Sequence, residues 1–97
     1  MSKSRMLDYS RAPQAEGDKI RVLRVSYGPH EELPMHSHPS GLIVFRTDHH
    51  SKHTDPAGGT HEMRGKSGEV QWIDATDHQP ENLSSQRMEP ILIELKR

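Results

Sequence analysis

The sequence predicts an all-β fold, a sandwich or barrel of short antiparallel strands. Three observations carry this. Apolar residues come in short alternating runs, as where Leu23, Val25 and Tyr27 alternate with Arg24 and Ser26. Turn signals rich in Gly, Pro and Asp separate the runs: Gly28-Pro29, Asp55-Pro56-Ala57-Gly58-Gly59 and Lys66-Ser67-Gly68. No stretch sustains a helical period. Seven or eight short strands at such close spacing fit a sandwich or barrel and little else.

Residues 1–18 are polar, contain Pro13 and Gly17, and carry no sustained period. They read as an N-terminal arm or tail ahead of a barrel domain of residues 19–97, with Leu7 and Tyr9 the residues able to dock. Lys19 to Tyr27 is a half-buried strand that ends at Gly28-Pro29. Leu42-Ile43-Val44-Phe45 is apolar on both faces, as in a strand buried on both sides. Asp48 to His53 is polar and reads as a loop or one arm of a hairpin, with Thr60 to Arg64 returning as the other arm. Glu69 to Ile73 is a strand closed by Asp74-Ala75-Thr76-Asp77. His78 to Leu83 follows, and Pro80 confines its pairing to an edge or bulge. The last strand is Pro90 to Leu95, with Ile91, Ile93 and Leu95 on one face and Leu92, Glu94 and Lys96 on the other.

A chain of 97 residues is one domain by default, and 30% hydrophobic residues make a thin core. A metal site or a second subunit would offset that shortfall, and the two-sided apolar run at 42–45 favours a homodimer. With no cysteine, disulfides and thiolate metal sites are excluded, so a metal must be held by His, Asp, Glu or main-chain oxygen. The 13 basic and 14 acidic residues are interspersed, which gives no footprint for nucleic acid. No apolar run follows Lys3 and Arg5, and none is long enough to span a membrane; the expectation is a cytoplasmic protein.

The chemistry centres on Pro34-Met35-His36-Ser37-His38-Pro39. In a strand, residues i and i+2 share a face, so His36 and His38 aim both imidazoles one way and form half of a metal site. Alone, the pair reads equally well as two surface histidines in a chain that has eight. The wider order adds weight: a strand, Gly28, the His-x-His pair, a hairpin, then Gly68, a strand, a turn, His78 and Asn82. This resembles the two motif halves of a small single-domain cupin. Gly68 leads to Asp74 where that family has proline, and on to His78 at the family's spacing. Asn82 falls one residue late, and Ile91 to Lys96 is similar to the close of many small cupins. The resemblance implies a double-stranded β-helix (jelly-roll) barrel and a divalent metal on His36, His38 and His78. The family's carboxylate ligand falls at Leu42 or Ile43, both apolar, so the implied set has three histidines.

Three-His cupin sites resemble those of iron dioxygenases acting on small organic molecules, with zinc, nickel or manganese as other occupants. Other cupins bind ligand or metal without catalysis, and an isomerase would need a histidine base. Trp72 and Phe45 are candidate walls for a substrate, with plain core membership the preferred reading for Phe45; Arg46 and Gln71 are candidate polar contacts. His49, His50 and His53 read as a solvated loop, with a second metal site as the alternative. His61 reads as structural beside Met63, and His30 as exposed.

Overall fold

Residues 11–96 are described by a computed structural model, so Leu7 and Tyr9 lie outside the described residues. Nine strands and no helix occur among these residues: β1 Arg11–Glu16, β2 Ile20–Val25, β3 His36–His38, β4 Gly41–Val44, β5 His49–Thr54, β6 Thr60–Gly65, β7 Val70–Ile73, β8 Thr76–Asn82 and β9 Ile91–Leu95. They form two antiparallel sheets. One has the order β1-β2-β9-β4-β7, and the other β3-β8-β5-β6. Residues 11–16 of the 1–18 arm form β1 and lie along the edge of the first sheet against β2.

The period-2 pattern explains the first sheet. Leu23 of β2 stands opposite Leu92 of β9, and Leu92 opposite Ile43 of β4, so three buried side chains lie abreast on the inner face. Parity then sends Glu94 inward as well. It is 1% exposed, and Arg21 from the facing position on β2 reaches it at 2.9 Å. A buried carboxylate needs such a partner. Gly41 is required where β4 crosses β9, because a Cβ there would overlap the carbonyl of Ile93.

The second sheet carries polar residues inward. His49, Ser51 and His53 are all buried on the inner face of β5, while His50, Lys52 and Thr54 face outward. The polar segment from His49 on is thus one arm of the hairpin rather than a solvated loop, paired residue for residue with β6. Its turn is held by Asp55, whose Oδ1 accepts the N–H groups of Ala57 and Gly59 at 2.9 Å each, with Gly58 at φ 90°. Pro80 sits in β8 opposite His53. Its carbonyl accepts the Leu33 N–H at 2.8 Å, so its ring nitrogen also points away from β5, beyond the end of the short β3. The missing N–H therefore costs no ladder bond. Leu23, Val25, Tyr27, Leu33, Ile43, Phe45, Met88 and Leu92 form one core between the sheets.

Candidate functional site

A cavity of about 380 Å³ opens between the sheets. Val25, Tyr27, Ile43, Met63, Ile73 and Leu92 supply its apolar wall, and five histidines, His36, His38, His53, His61 and His78, line it. Among the described residues no Lys or Arg lines it, and Asp74 is its one carboxylate.

Strand register brings His36, His38 and His78 together. His36 and His38 share the inner face of β3, and His36 stands directly opposite His78 on β8. The ring centres of His36 and His78 are 4.8 Å apart and those of His38 and His78 are 4.6 Å apart, both edge to face. The prolines that flank the pair supply its anchors. His36 Nδ1 lies 2.9 Å from the Pro34 carbonyl, and His38 Nδ1 lies 2.9 Å from the Pro39 carbonyl. A carbonyl only accepts, so each Nδ1 carries a proton and donates it; in the neutral ring the lone pair is then on Nε2. A ligating histidine is normally held this way, by its other nitrogen.

His53 joins the group from β5. Its Nδ1 is 2.8 Å from His78 Nδ1, and the two rings stack 4.8 Å apart. Its Nε2 is 2.8 Å from Ser51 Oγ, which is 2.9 Å from His49 Nε2. His49 in turn stacks on Phe45 at 4.4 Å. Burial, aided by His50, holds His49 down to about 4, and burial with the surrounding histidines does the same to His53, so both are neutral at pH 7. Burial pushes Tyr27, which lines the cavity, up to about 12. His61 is exposed on β6, stacks on His53 at 5.3 Å and lines the cavity.

Of the substrate candidates, Trp72 lines the cavity from its rim, 55% exposed, with its indole N–H donated to Asp74 at 2.8 Å. The other three do not line it. Phe45 is 1% exposed in the core, Arg46 points outward toward Glu89 at 3.7 Å, and Gln71 donates to the Arg64 carbonyl. Ile43 lines the cavity and Leu42 stands on the opposite face of β4, so neither position offers a carboxylate. His50 faces outward onto Glu62 at 2.6 Å. Sequence reasoning missed His53, Ser51 and His49. The i, i+2 rule that paired His36 with His38 would have grouped them, but polar residues at the inward positions give no hydrophobic period to detect.

The donor types fit a divalent metal: three imidazoles, two of which are anchored through Nδ1 on carbonyls. Two imidazoles on one ion, each about 2.1 Å from it, have ring centres roughly 4.5–5.5 Å apart, as the His36–His78 and His38–His78 pairs do. As the rings stand, however, no three His, Asp or Glu side chains among the described residues are grouped to hold an ion. The rings meet edge to face, and convergence of three Nε2 atoms requires them to turn. The imidazole χ2 torsion is broad, but for His36 and His38 the turn must keep or exchange the Nδ1 bond to the carbonyl.

The fold has clear relatives among solved structures. A cupin domain from Bordetella pertussis superposes with a TM-score of 0.80 at 19% identity, over 90% of this chain and 92% of that one. The chain has the cupin fold. An RmlC-like cupin with a double-stranded β-helix from Methanocaldococcus jannaschii matches at TM-score 0.65 and 11% identity, over 88% of this chain and 77% of the other. A double-stranded β-helix protein from Klebsiella pneumoniae matches at 0.68 and 15%, over 88% and 74%. No family model and no curated protein matches the sequence. In this cupin barrel the His-x-His strand and the His78 strand are neighbours, as the resemblance in the sequence implies.

Proposed function

We propose that this cupin binds one divalent metal through Nε2 of His36, His38 and His78, beside a pocket for a small, uncharged organic molecule. The observation that carries the reading is the pair of Nδ1–H bonds from His36 and His38 to the Pro34 and Pro39 carbonyls, which leave Nε2 of both rings as donor atoms. A bound ion would supply Lewis acidity and, as iron, one-electron chemistry with dioxygen; zinc, nickel and manganese suit the same donors. The chain's own residues set what reaches it. The apolar wall excludes water and orients a largely apolar body. The absence of Lys and Arg from the described lining disfavours carboxylates and phosphates, which need a fixed cation. Trp72 at the rim offers a flat face for a planar ligand. In this reading the protein works in the cytoplasm as a homodimer. The support for the dimer is the edge strand β7, whose Val70 and Trp72 are each 55% exposed.

A second reading is a small-ligand pocket without metal. The ungrouped ring nitrogens favour it. Metal content after equilibrium dialysis against iron, zinc, manganese or nickel separates the two. We expect about one ion per chain in the parent, none in His36→Ala or His78→Ala, and full content in His50→Ala, which alters only the outward ring. A parent that takes up none of the four metals gives the site to the second reading.

A further inference from the structure

We propose that the outer face of the first sheet is a docking surface for a second copy of this chain, packed sheet against sheet. The proposal goes beyond the edge strand β7 and names a whole face. It rests on the function proposed above only in that it needs a homodimer.

Strand register builds the face. Leu23, Leu92 and Ile43 point inward, so the residues on either side of each point out. Val22, Ile93, Leu42 and Trp72 then stand abreast across β2, β9, β4 and β7. Ile91, Val44 and Val70 make the next row, and Ile20 stands opposite Leu95 at the far end. Every one of these side chains is apolar. Ile20, Leu95, Val70 and Trp72, at the borders, are 39% to 55% exposed. Parity meanwhile turns Glu94 inward, where it is buried against Arg21. A sheet that hides a carboxylate on its inner face and shows isoleucine and leucine on its outer one calls for a cover on both.

Size and charge favour a second copy as that cover. Four strands about 4.8 Å apart, taken over five residues at about 3.4 Å each, make a face roughly 20 by 17 Å. A stable complex buries about 800 Å² on each partner, with an apolar centre and a polar rim. Here the rows above are the centre. The rim is Arg24, whose guanidinium donates to Gln14 of β1 at 3.0 Å, with Glu89 and Arg46 beyond Ile91 and Val44. An uncharged centre can meet its own copy without burying an unpaired charge. Arg46 follows β4 at one end of the face, and Asp74 follows β7 at the other. A two-fold axis running across the strands lays the Arg46 end of one copy over the Asp74 end of its partner, so unlike charges meet at the rim. The interface then reaches the cavity mouth, because Trp72 and Asp74 line it and are bonded to each other.

Trp72 is the chain's one tryptophan, so its emission reports whether the face is covered. Light scattering and fluorescence of the full chain, followed through dilution, test the proposal. At tens of micromolar we expect twice the 11.1 kDa chain mass, with Trp72 shielded from iodide. Dilution should return the chain mass and shift the emission to the red together. Ile20→Lys and Val70→Lys, at opposite corners of the face, should each raise the dissociation constant about tenfold or more, since a lysine must be desolvated there. Both positions are open in the single chain, so folding tolerates the change. Met35→Lys, at a residue equally open but leading into β3 of the other sheet, should alter neither reading. Pairing through the β7 edge alone responds to Val70→Lys and not to Ile20→Lys. A dimer that survives Ile20→Lys with Trp72 open to iodide uses another surface: the proposal falls and the homodimer stands. A parent that keeps the chain mass at every concentration overturns both. Metal content is read separately by dialysis, so neither outcome decides the metal reading.

Discussion

Asn82 is fully buried, and both ends of its amide are matched. Its Nδ2 donates to the carbonyls of Gly28 at 2.9 Å and Gln86 at 2.7 Å, and its Oδ1 accepts from the backbone N–H and hydroxyl of Ser84 at 2.8 Å each. The residue that resembles the end of the second cupin motif thus ties two connecting segments together. Asn82→Ala should lower unfolding free energy by roughly 2–4 kcal/mol in urea melts, since it strands several buried groups. His49 supports a pH prediction. Its folded pKa of about 4 lies below the ordinary 6.5, because burial disfavours the charged ring. The unfolded chain therefore binds the proton first as pH falls. Stability is full above pH 6.5, is lost progressively toward pH 4, and levels off below that. Between pH 7.5 and 4.5 the loss from this residue is roughly 2 kcal/mol. His49→Phe should lose less stability than the parent across that interval. Parallel curves would mean that His49 takes up its proton in the native state as readily as in the unfolded chain.

At the level of strands, legibility followed the chemistry of the inward positions. β2, β4 and β9 were readable because Leu23, Val25, Ile43 and Leu92 impose a period of two. The β5–β6 hairpin was readable from its turn at Asp55 to Gly59, but its inner face was not, because the inward residues include His49, Ser51, His53, His61 and Gly65, and no hydrophobicity pattern marks such a face. β1 was invisible for another reason. Its residues 12–16 are all exposed, so pairing with β2 leaves no trace in side-chain type. Glu94 shows the reverse error: its parity with Leu92 was plain, but nothing in the sequence said that this was the inner face. Close approach between β4 and β9 makes Gly41 a sharp test of the register. Gly41→Ala should cost about 1–3 kcal/mol, because the obstacle is the Ile93 carbonyl and backbone does not yield as a side chain does. Gly17→Ala, with no atom near its Cβ and no positive φ, should stay within about 0.5 kcal/mol of the parent.

Across the whole molecule, a core drawn from 30% hydrophobic residues is shared between an apolar wall and a buried histidine network. Exposed Val70 and Trp72 on the edge strand fit the proposed dimer, for which light scattering should return about twice the 11.1 kDa chain mass, falling to the chain mass in Val70→Lys. The sequence foresaw three of the cavity's histidines through strand parity and a family spacing, and missed the network behind them because its members come from a strand with no apolar signature. The central claim is that His36, His38 and His78 act as one ligand set. Cobalt titration of the metal-free chain at pH 7.5, followed by visible absorption, tests it most directly. The account predicts saturation at one ion per chain in the parent and no saturable spectrum in His78→Ala. An identical titration in the parent and in His78→Ala would contradict it.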